Sequence, residues 1–277
     1  MNDSICITIL VDNIASKPGI LAEHGLSLWI ECHGKRILFD TGQSDILTQN
    51  AKILGIDLAK TDAIILSHGH YDHTGGLYFV SDIAPNAPIY MHPGTIEPKY
   101  SLKKMKVRDI GMPEASKKIL KNHQIIQTEN IIKICDGITL TGQIPRTNDF
   151  EDTGGAFFCD QNCRNPDNLL DDQALVIESS RGLIIVLGCA HSGTANTLEY
   201  VLKLTNHQKI YTVVGGMHLA NADMDRINST IDILKEFDVQ KIIPLHCSGS
   251  LAIIKMIESF HDKCLLLGAG DNIIFNT

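Results

Sequence analysis

Between residues 62 and 77 the chain reads Asp-Ala-Ile-Ile-Leu-Ser-His-Gly-His-Tyr-Asp-His-Thr-Gly-Gly-Leu, which sets four metal-ligand types, His68, His70, Asp72 and His73, within six residues. Imidazole and carboxylate together suit a divalent cation, Zn²⁺ first and Mn²⁺ or Fe²⁺ with less discrimination. Buried without partners, such groups cost free energy that an ion would recover. The apolar run 63–66, β-branched at two positions, reads as a short buried strand that leads into the histidines. Gly69 lets the backbone bend there, and Thr74-Gly75-Gly76 closes the loop so that a helix can start.

Elements able to hold that loop lie on both sides of it. Upstream, Ile5–Val11, 26–32 and 37–39 are β-prone runs with short connections, as in an antiparallel meander. After Asp40-Thr41-Gly42, apolar residues recur at near-helical spacing over 44–54 and stop at Gly55. Downstream the plan repeats. A strand over 183–187 ends in Gly188-Cys189-Ala190-His191-Ser192-Gly193 before a helix over 197–204, a strand over 210–214 ends at Gly215-Gly216-Met217-His218, and a final strand, Lys241–Leu245, ends at His246. Two related halves, about 1–140 and 141–277, predict one α/β domain, a four-layer αββα sandwich with sheets face to face and helices outside. Strand ends meeting between the halves bring His68, His70, Asp72, His73, His191 and His246 together across up to 178 residues of sequence.

With 277 residues, 44% of them hydrophobic and 20% charged, the chain has ample apolar surface for a core. A net charge of −8 argues against a nucleic-acid partner. The eight cysteines form no Cys-x-x-Cys pair, so neither a zinc ribbon nor a disulfide framework is expected, and reduced thiols in the cytoplasm fit better. No basic stretch precedes an apolar core near the amino terminus, and no apolar run nears the ~18 residues that span a bilayer; neither a secretory signal nor a membrane partner is expected. A homo-oligomer is compatible with all of this.

Charge reverses locally over residues 99–121, which hold eight Lys and Arg against Asp109 and Glu114. One reading is a solvated helical face. The other is a lid-like insertion over 95–123 that draws in an anionic small molecule, with Lys103 and Lys104 as contacts. A second irregular stretch, 142–172, containing Pro145, Arg146, Gly154, Gly155 and Pro166, predicts another cleft wall.

The His68-Gly-His70-Tyr-Asp72-His73 run resembles the His-x-His-x-Asp-His signature of the metallo-β-lactamase-fold hydrolases. Glu23-His24-Gly25-Leu26-Ser27, Phe39-Asp40-Thr41-Gly42, Gly188-Cys189-Ala190-His191-Ser192-Gly193, Gly215-Gly216-Met217-His218-Leu219 and Pro244-Leu245-His246-Cys247 extend the likeness over nearly the whole chain. Together they resemble the subgroup that includes the archaeal 7,8-dihydropterin-6-methyl-4-(β-D-ribofuranosyl)aminobenzene 5′-phosphate synthase. The resemblance implies His68, His70 and His191 on one ion and Asp72, His73 and His246 on a second. Many members end the strand equivalent to 183–187 in Gly-Asp, whose carboxylate bridges both ions, where this chain has Gly188-Cys189. Cys189, as a soft thiolate or a buried bystander, and Asp172 are the candidates for an extra ligand. Asp40 is expected behind a ligating imidazole, fixing its tautomer. His218 is the expected catalytic contact that stabilises negative charge on substrate; His24 and Arg146 are expected to bind an anion or tie a loop.

The implied activity is metal-dependent hydrolysis of a phosphorylated or otherwise anionic small molecule. One or two divalent ions would lower the pKa of a bound water to about 7, and Asp72 would orient that water or accept its proton. The subgroup adds an alternative, a pterin-transferring synthase that releases diphosphate. A non-haem iron oxidoreductase is a further use of the fold, although those enzymes typically carry Glu where this chain has His70. A metal-binding scaffold without catalysis completes the set.

Overall fold

The computed structural model describes residues 4–275; the expected domain limits at 1 and 277 lie outside the described residues. From the amino terminus the elements are β1 (Ile5–Val11), β2 (Ser27–Cys32), β3 (Lys35–Phe39), α1 (Ile46–Ile53), β4 (Ala63–Ile65), α2 (Tyr71–Thr74), α3 (Leu77–Val80) and β5 (Ile89–Met91). Then come β6 (Tyr100–Lys103), β7 (Lys106–Asp109), α4 (Glu114–Ile119), β8 (Ile125–Gln127), β9 (Ile132–Cys135) and β10 (Ile138–Leu140). The remainder holds β11 (Phe157–Phe158), β12 (Leu175–Ser179), β13 (Gly182–Leu187), α5 (Thr194–Leu204), β14 (Ile210–Gly216), α6 (Met224–Glu236), β15 (Lys241–Leu245), α7 (Ser250–Phe260) and β16 (Asn272–Phe275).

One sheet of seven strands runs β16-β1-β2-β3-β4-β5-β8 and another of six runs β15-β14-β13-β12-β10-β9. Side chains alternate across each strand, and that alternation decides how the sheets stack. In β3, Ile37 and Phe39 share a core with Ile184 and Val186 of β13, while Leu38 turns outward to Leu47 and Ala51 of α1. In β13, Leu183, Ile185 and Leu187 turn outward to Leu198 of α5, Ile231 of α6 and Met256 of α7. The layers are therefore helix, sheet, sheet, helix, as the repeated plan implies.

Parallel pairing sets where the chemistry can be. Strand β3 runs parallel to β4, and β13, β14 and β15 run parallel to one another. Their carboxyl ends point the same way, and Asp40, His68, Cys189, His218 and His246 each follow one of them closely. Gly215, at φ 129°, lets β14 lie tight against β13; a Cβ there would stand 2.0 Å from the Leu187 carbonyl oxygen.

The division into halves differs from expectation. Strands β9 and β10 belong to the second sheet, so the chain crosses between sheets after β8, ahead of the expected boundary at 140. Lys241–Leu245 is also not the last strand: β16 returns to the first sheet and pairs with β1, Ile7 opposite Ile273. Within β16, Ile273 and Phe275 are buried and Ile274 is exposed, an alternation too short to stand out in the sequence. Nor is the basic stretch helical throughout. Strands β6 and β7 form a hairpin, and β11 from the second irregular stretch pairs with β6, so the two expected cleft walls are one three-stranded sheet. Among the described residues no helix is long and apolar enough to cross a membrane.

Because Phe39 is fully buried between the sheets, Phe39→Ala should cost about 3–5 kcal/mol of unfolding free energy in a urea titration. Ile274→Ala, on the exposed face of β16, should change it by less than about 0.5 kcal/mol. Equal effects would contradict the layer assignment.

Candidate metal centre

His68 leaves β4 directly after Ser67, and His70 caps the single turn α2 that carries Asp72 and His73. His191 sits ahead of α5, whose start is fixed by Glu151: its carboxylate accepts the amides of Ala195 (2.8 Å) and Asn196 (2.9 Å). These local devices bring three imidazoles to one point. His68 Nε2 lies 3.0 Å from His70 Nδ1, and His191 Nε2 lies 3.2 Å from that same atom. All three rings are buried, and burial above all holds each of them well below the ordinary histidine pKa. They are neutral rings turned toward each other.

Partners behind the rings select which nitrogen faces inward. His191 Nδ1 donates to the Thr153 carbonyl (2.8 Å), leaving the Nε2 lone pair toward His70. His68 Nδ1 contacts Ser67 Oγ at 2.9 Å. His73 Nδ1 donates to Asp40 Oδ2 (2.7 Å), and Asp40 also accepts the Ser67 amide (2.7 Å) and hydroxyl (2.6 Å). Burial alone would depress His73, yet Asp40 and Asp72 beside it push its pKa up to about 9, so a cation arriving at its Nε2 must displace a proton.

The donors fall into sets that differ from the expected pair of trios. His68, His70 and His191 form one set, as the resemblance implies. Asp72, His73 and His246 do not form one: Asp72 and His246 group with His24, while His73 joins His68 and Cys189. Asp72 Oδ2 lies 3.0 Å from His24 Nε2 and 3.4 Å from His246 Nε2. Burial opposes charge on Asp72, but His73, His24 and His246 overcome it and hold the carboxyl well below its ordinary range. His246 is fixed through Nδ1 on Asn13 Oδ1 (2.9 Å) and through its amide on Asp12 (2.7 Å). Three neutral imidazoles converging in a buried space suit a divalent cation of the zinc class.

A cavity of about 500 Å³ opens onto these groups; its lining includes His24, His70, Asp72, Cys189, His191, His218 and His246 together with Lys103, Arg108 and Phe157. Phe157 packs against the rings of His70 (5.3 Å between centroids) and His191 (5.4 Å). His218 lies 4.2 Å from the His191 ring, and its Nδ1 is buried without a partner.

Several expected contacts lie elsewhere for physical reasons. Asp172 is no part of a donor set; it is buried and accepts the Ser192 amide at 2.8 Å, holding the loop of His191. Arg146 donates to the carbonyls of His191 (2.8 Å) and Asn168 (3.0 Å), so it ties that loop too and does not border the cavity. Lys104 occupies the hairpin turn with φ 50° and points to solvent, leaving Lys103 as the lysine on the cavity. His24, expected to bind an anion, is hydrogen-bonded to one in Asp72. The sequence counts Arg108 only within the basic stretch, and neither it nor Cys247 stands out there as a site residue. Cys247 adjoins His246 in Pro244-Leu245-His246-Cys247, and that adjacency was the available signal.

With this geometry, a model of the Metallo-beta-lactamase superfamily matches residues 22–203, and the chain belongs to that superfamily. Divalent-metal binding goes with the fold, and the donor sets are in place for it. More particularly, the chain is 33% identical to the 7,8-dihydropterin-6-methyl-4-(beta-D-ribofuranosyl)-aminobenzene-5′-phosphate synthase of Methanocaldococcus jannaschii, covering 99% of this chain and 97% of that one. It is 36% identical to an uncharacterised protein of the same archaeon over 91% of this chain and 94% of that one. Among solved structures it resembles Tm1679, a metal-dependent hydrolase of the beta-lactamase superfamily, with TM-score 0.86 and 29% identity over 99% of this chain and 100% of that one.

His68→Ala and His70→Ala should each strip most of the bound metal, measured by elemental analysis, whereas His123→Ala, outside every donor set, should not; equal metal content in all three would refute the site. A second test concerns pH. Burial lifts the Asp172 carboxyl from 3.8 to about 6. The folded state therefore keeps a proton that the unfolded chain has lost, and this group makes stability fall as pH rises between those values, by on the order of 3 kcal/mol. Asp172→Asn keeps the acceptor for Ser192 and cannot ionise. In metal-free protein its stability should gain on the wild type from about pH 4 to 6; parallel denaturation profiles would show that Asp172 is not held protonated.

Proposed function

We propose that the protein is a metal-dependent enzyme that hydrolyses phosphate-bearing small molecules. The observation that carries this reading is the row Ser101, Lys103, Arg108 and Phe157, which brings two cations to the same cavity as the His and Asp donors. His68, His70 and His191 would hold the ion, which supplies Lewis acidity and a water of pKa about 7. Asp72 stays anionic at neutral pH and is too weak a base to take a proton from water, so its task is to orient the attacking oxygen by accepting its hydrogen bond. His24 Nε2 meets Asp72 Oδ2 at 3.0 Å and helps hold that carboxylate in place for this task. Lys103 and Arg108 bind the anionic portion of the substrate, and Phe157 screens the imidazoles from bulk water. Arg108 is itself placed over the Tyr71 ring, 4.7 Å from its centroid, beside Asp72 in sequence.

A second reading, transfer of a pterin with release of diphosphate, is favoured by the 33% identity to the archaeal synthase along nearly the whole chain. It uses the same cations, because its leaving group is also a phosphate anion. Enzyme loaded with Zn²⁺ or Mn²⁺ separates the two. Turnover of a phosphodiester panel by water supports hydrolysis; diphosphate release from a dihydropterin diphosphate that requires an aromatic ribosyl phosphate supports transfer. Failure of both with metal bound would leave the scaffold reading. On whichever substrate turns over, Lys103→Gln and Arg108→Gln should each raise KM roughly tenfold, more at low salt than at high. A KM that is unchanged at every ionic strength would remove the hairpin from substrate binding.

A further inference from the structure

Two cysteines face each other beside the histidine set. Cys189 Sγ lies 3.3 Å from Cys247 Sγ, the separation of a hydrogen-bonded thiol pair, and both are free thiols. Cys189 follows β13, and Cys247 follows His246 at the end of β15, so the parallel strands β13, β14 and β15 bring them together across a 58-residue separation. One donor from each of Cys189, Cys247 and His218 lies within 4.8 Å of the others.

The surroundings also suit a ligated pair of sulfurs. The His218 amide points at Cys247 Sγ (3.3 Å), an N–H···S contact of the kind that supports charge on a coordinating sulfur. His218 Nδ1 is buried with no hydrogen-bond partner, a cost that ligation removes. Glycine at 216 is required for the approach, since a Cβ there would stand 2.6 Å from Cys247 Sγ. All three side chains border the cavity, so a cation on them retains an open position for water or substrate, the pattern of a reactive rather than a structural site.

We propose that Cys189, Cys247 and His218 form a sulfur-rich cation site that takes a thiophilic divalent ion of the zinc or cobalt class, adjoining the site of His68, His70 and His191; Cys189 Sγ also lies 3.2 Å from His73 Nε2. Binding deprotonates both thiols, releases two protons to solvent and changes no oxidation state. The expected contact of His218 with substrate is thereby replaced by a contact with the ion. Where the family pattern has a bridging carboxylate, softer donors stand, and they favour zinc, cobalt or iron over magnesium or calcium.

Reduced, metal-free protein titrated with Co²⁺ under anaerobic conditions tests this without any substrate. The wild type should develop a near-ultraviolet sulfur-to-cobalt charge-transfer band, and Zn²⁺ should displace it. Cys189→Ser and Cys247→Ser should each leave roughly half of the band, since its intensity follows the number of sulfur ligands, and the double variant none. His68→Ala should retain it while losing cobalt from the other site. Cobalt binding to the wild type with visible d–d bands alone would overturn the sulfur site and leave the histidine centre standing. A thiolate band with no difference in cobalt uptake between wild type and His68→Ala would do the reverse. A Cys189–Cys247 disulfide that survives thiol reductant would also overturn the proposal. Should the serine variants fail to fold, the wild-type band and the loss of two reactive thiols on cobalt binding decide the matter.

Discussion

Everything in this molecule is arranged around three imidazole nitrogens gathered at one buried point, which either one shared proton or one cation can occupy. His68, His70 and His191 meet within 3.0 to 3.2 Å at a single nitrogen of His70, and their burial keeps them uncharged. Between neutral rings so placed, a single proton on His70 Nδ1 is the most that the protein itself supplies at that point. A cation in place of that proton uses all three lone pairs, and its binding free energy then counts toward folding. The sandwich must therefore be rigid enough to hold the rings in place before the ion arrives.

That rigidity comes from strand ends and from buried carboxylates behind the ligands. Asp40 holds Ser67 by two hydrogen bonds and His73 by a third, which locks the exit of β4 to the helix that follows. Asp40, Ala190, His218 and His246 all lie at positive φ, between 47° and 56°. Each non-glycine residue in that region costs about 1 kcal/mol or more, and the four gather at one edge of two sheets. Local backbone strain is accepted where it aims a side chain at the cleft.

How far the sequence could be read followed from how local each determinant is. The His68 to His73 run and the strands Ile5–Val11 and Lys241–Leu245 are set by neighbouring residues and were legible as written. The αββα layering was legible because the second half repeats the order of the first. Other features depend on partners distant in the chain. The return of β16 to β1 rests on four residues. Arg146 and Asp172 have the chemistry of site residues, but both are used to hold the loop around His191, and only coordinates reveal which atoms they face. The division of donors into sets, with His24 beside Asp72 and His73 beside Cys189, is likewise a matter of ångströms rather than of spacing in sequence.

The two jobs of the cleft are assigned to different parts of the chain. The sandwich strands carry the metal donors, whereas the cations that would meet a substrate stand on the hairpin β6–β7 and its partner β11, outside both large sheets. What joins them is a buried ion cluster. Asp171 accepts the Gly69 amide, in the middle of the ligand loop, with one oxygen (2.8 Å) and holds Lys99 Nζ with the other (2.9 Å). Lys99 immediately precedes β6 and also pairs with Asp167 at 3.0 Å. The most buried lysine of the basic stretch is thus spent on position rather than attraction, because a desolvated ammonium persists only when its charge is matched. One carboxylate fixes both the bend between His68 and His70 and the base of the hairpin, so any shift of the substrate wall is felt at the metal ligands. That common anchor ties the hairpin and the histidine loop into one rigid wall.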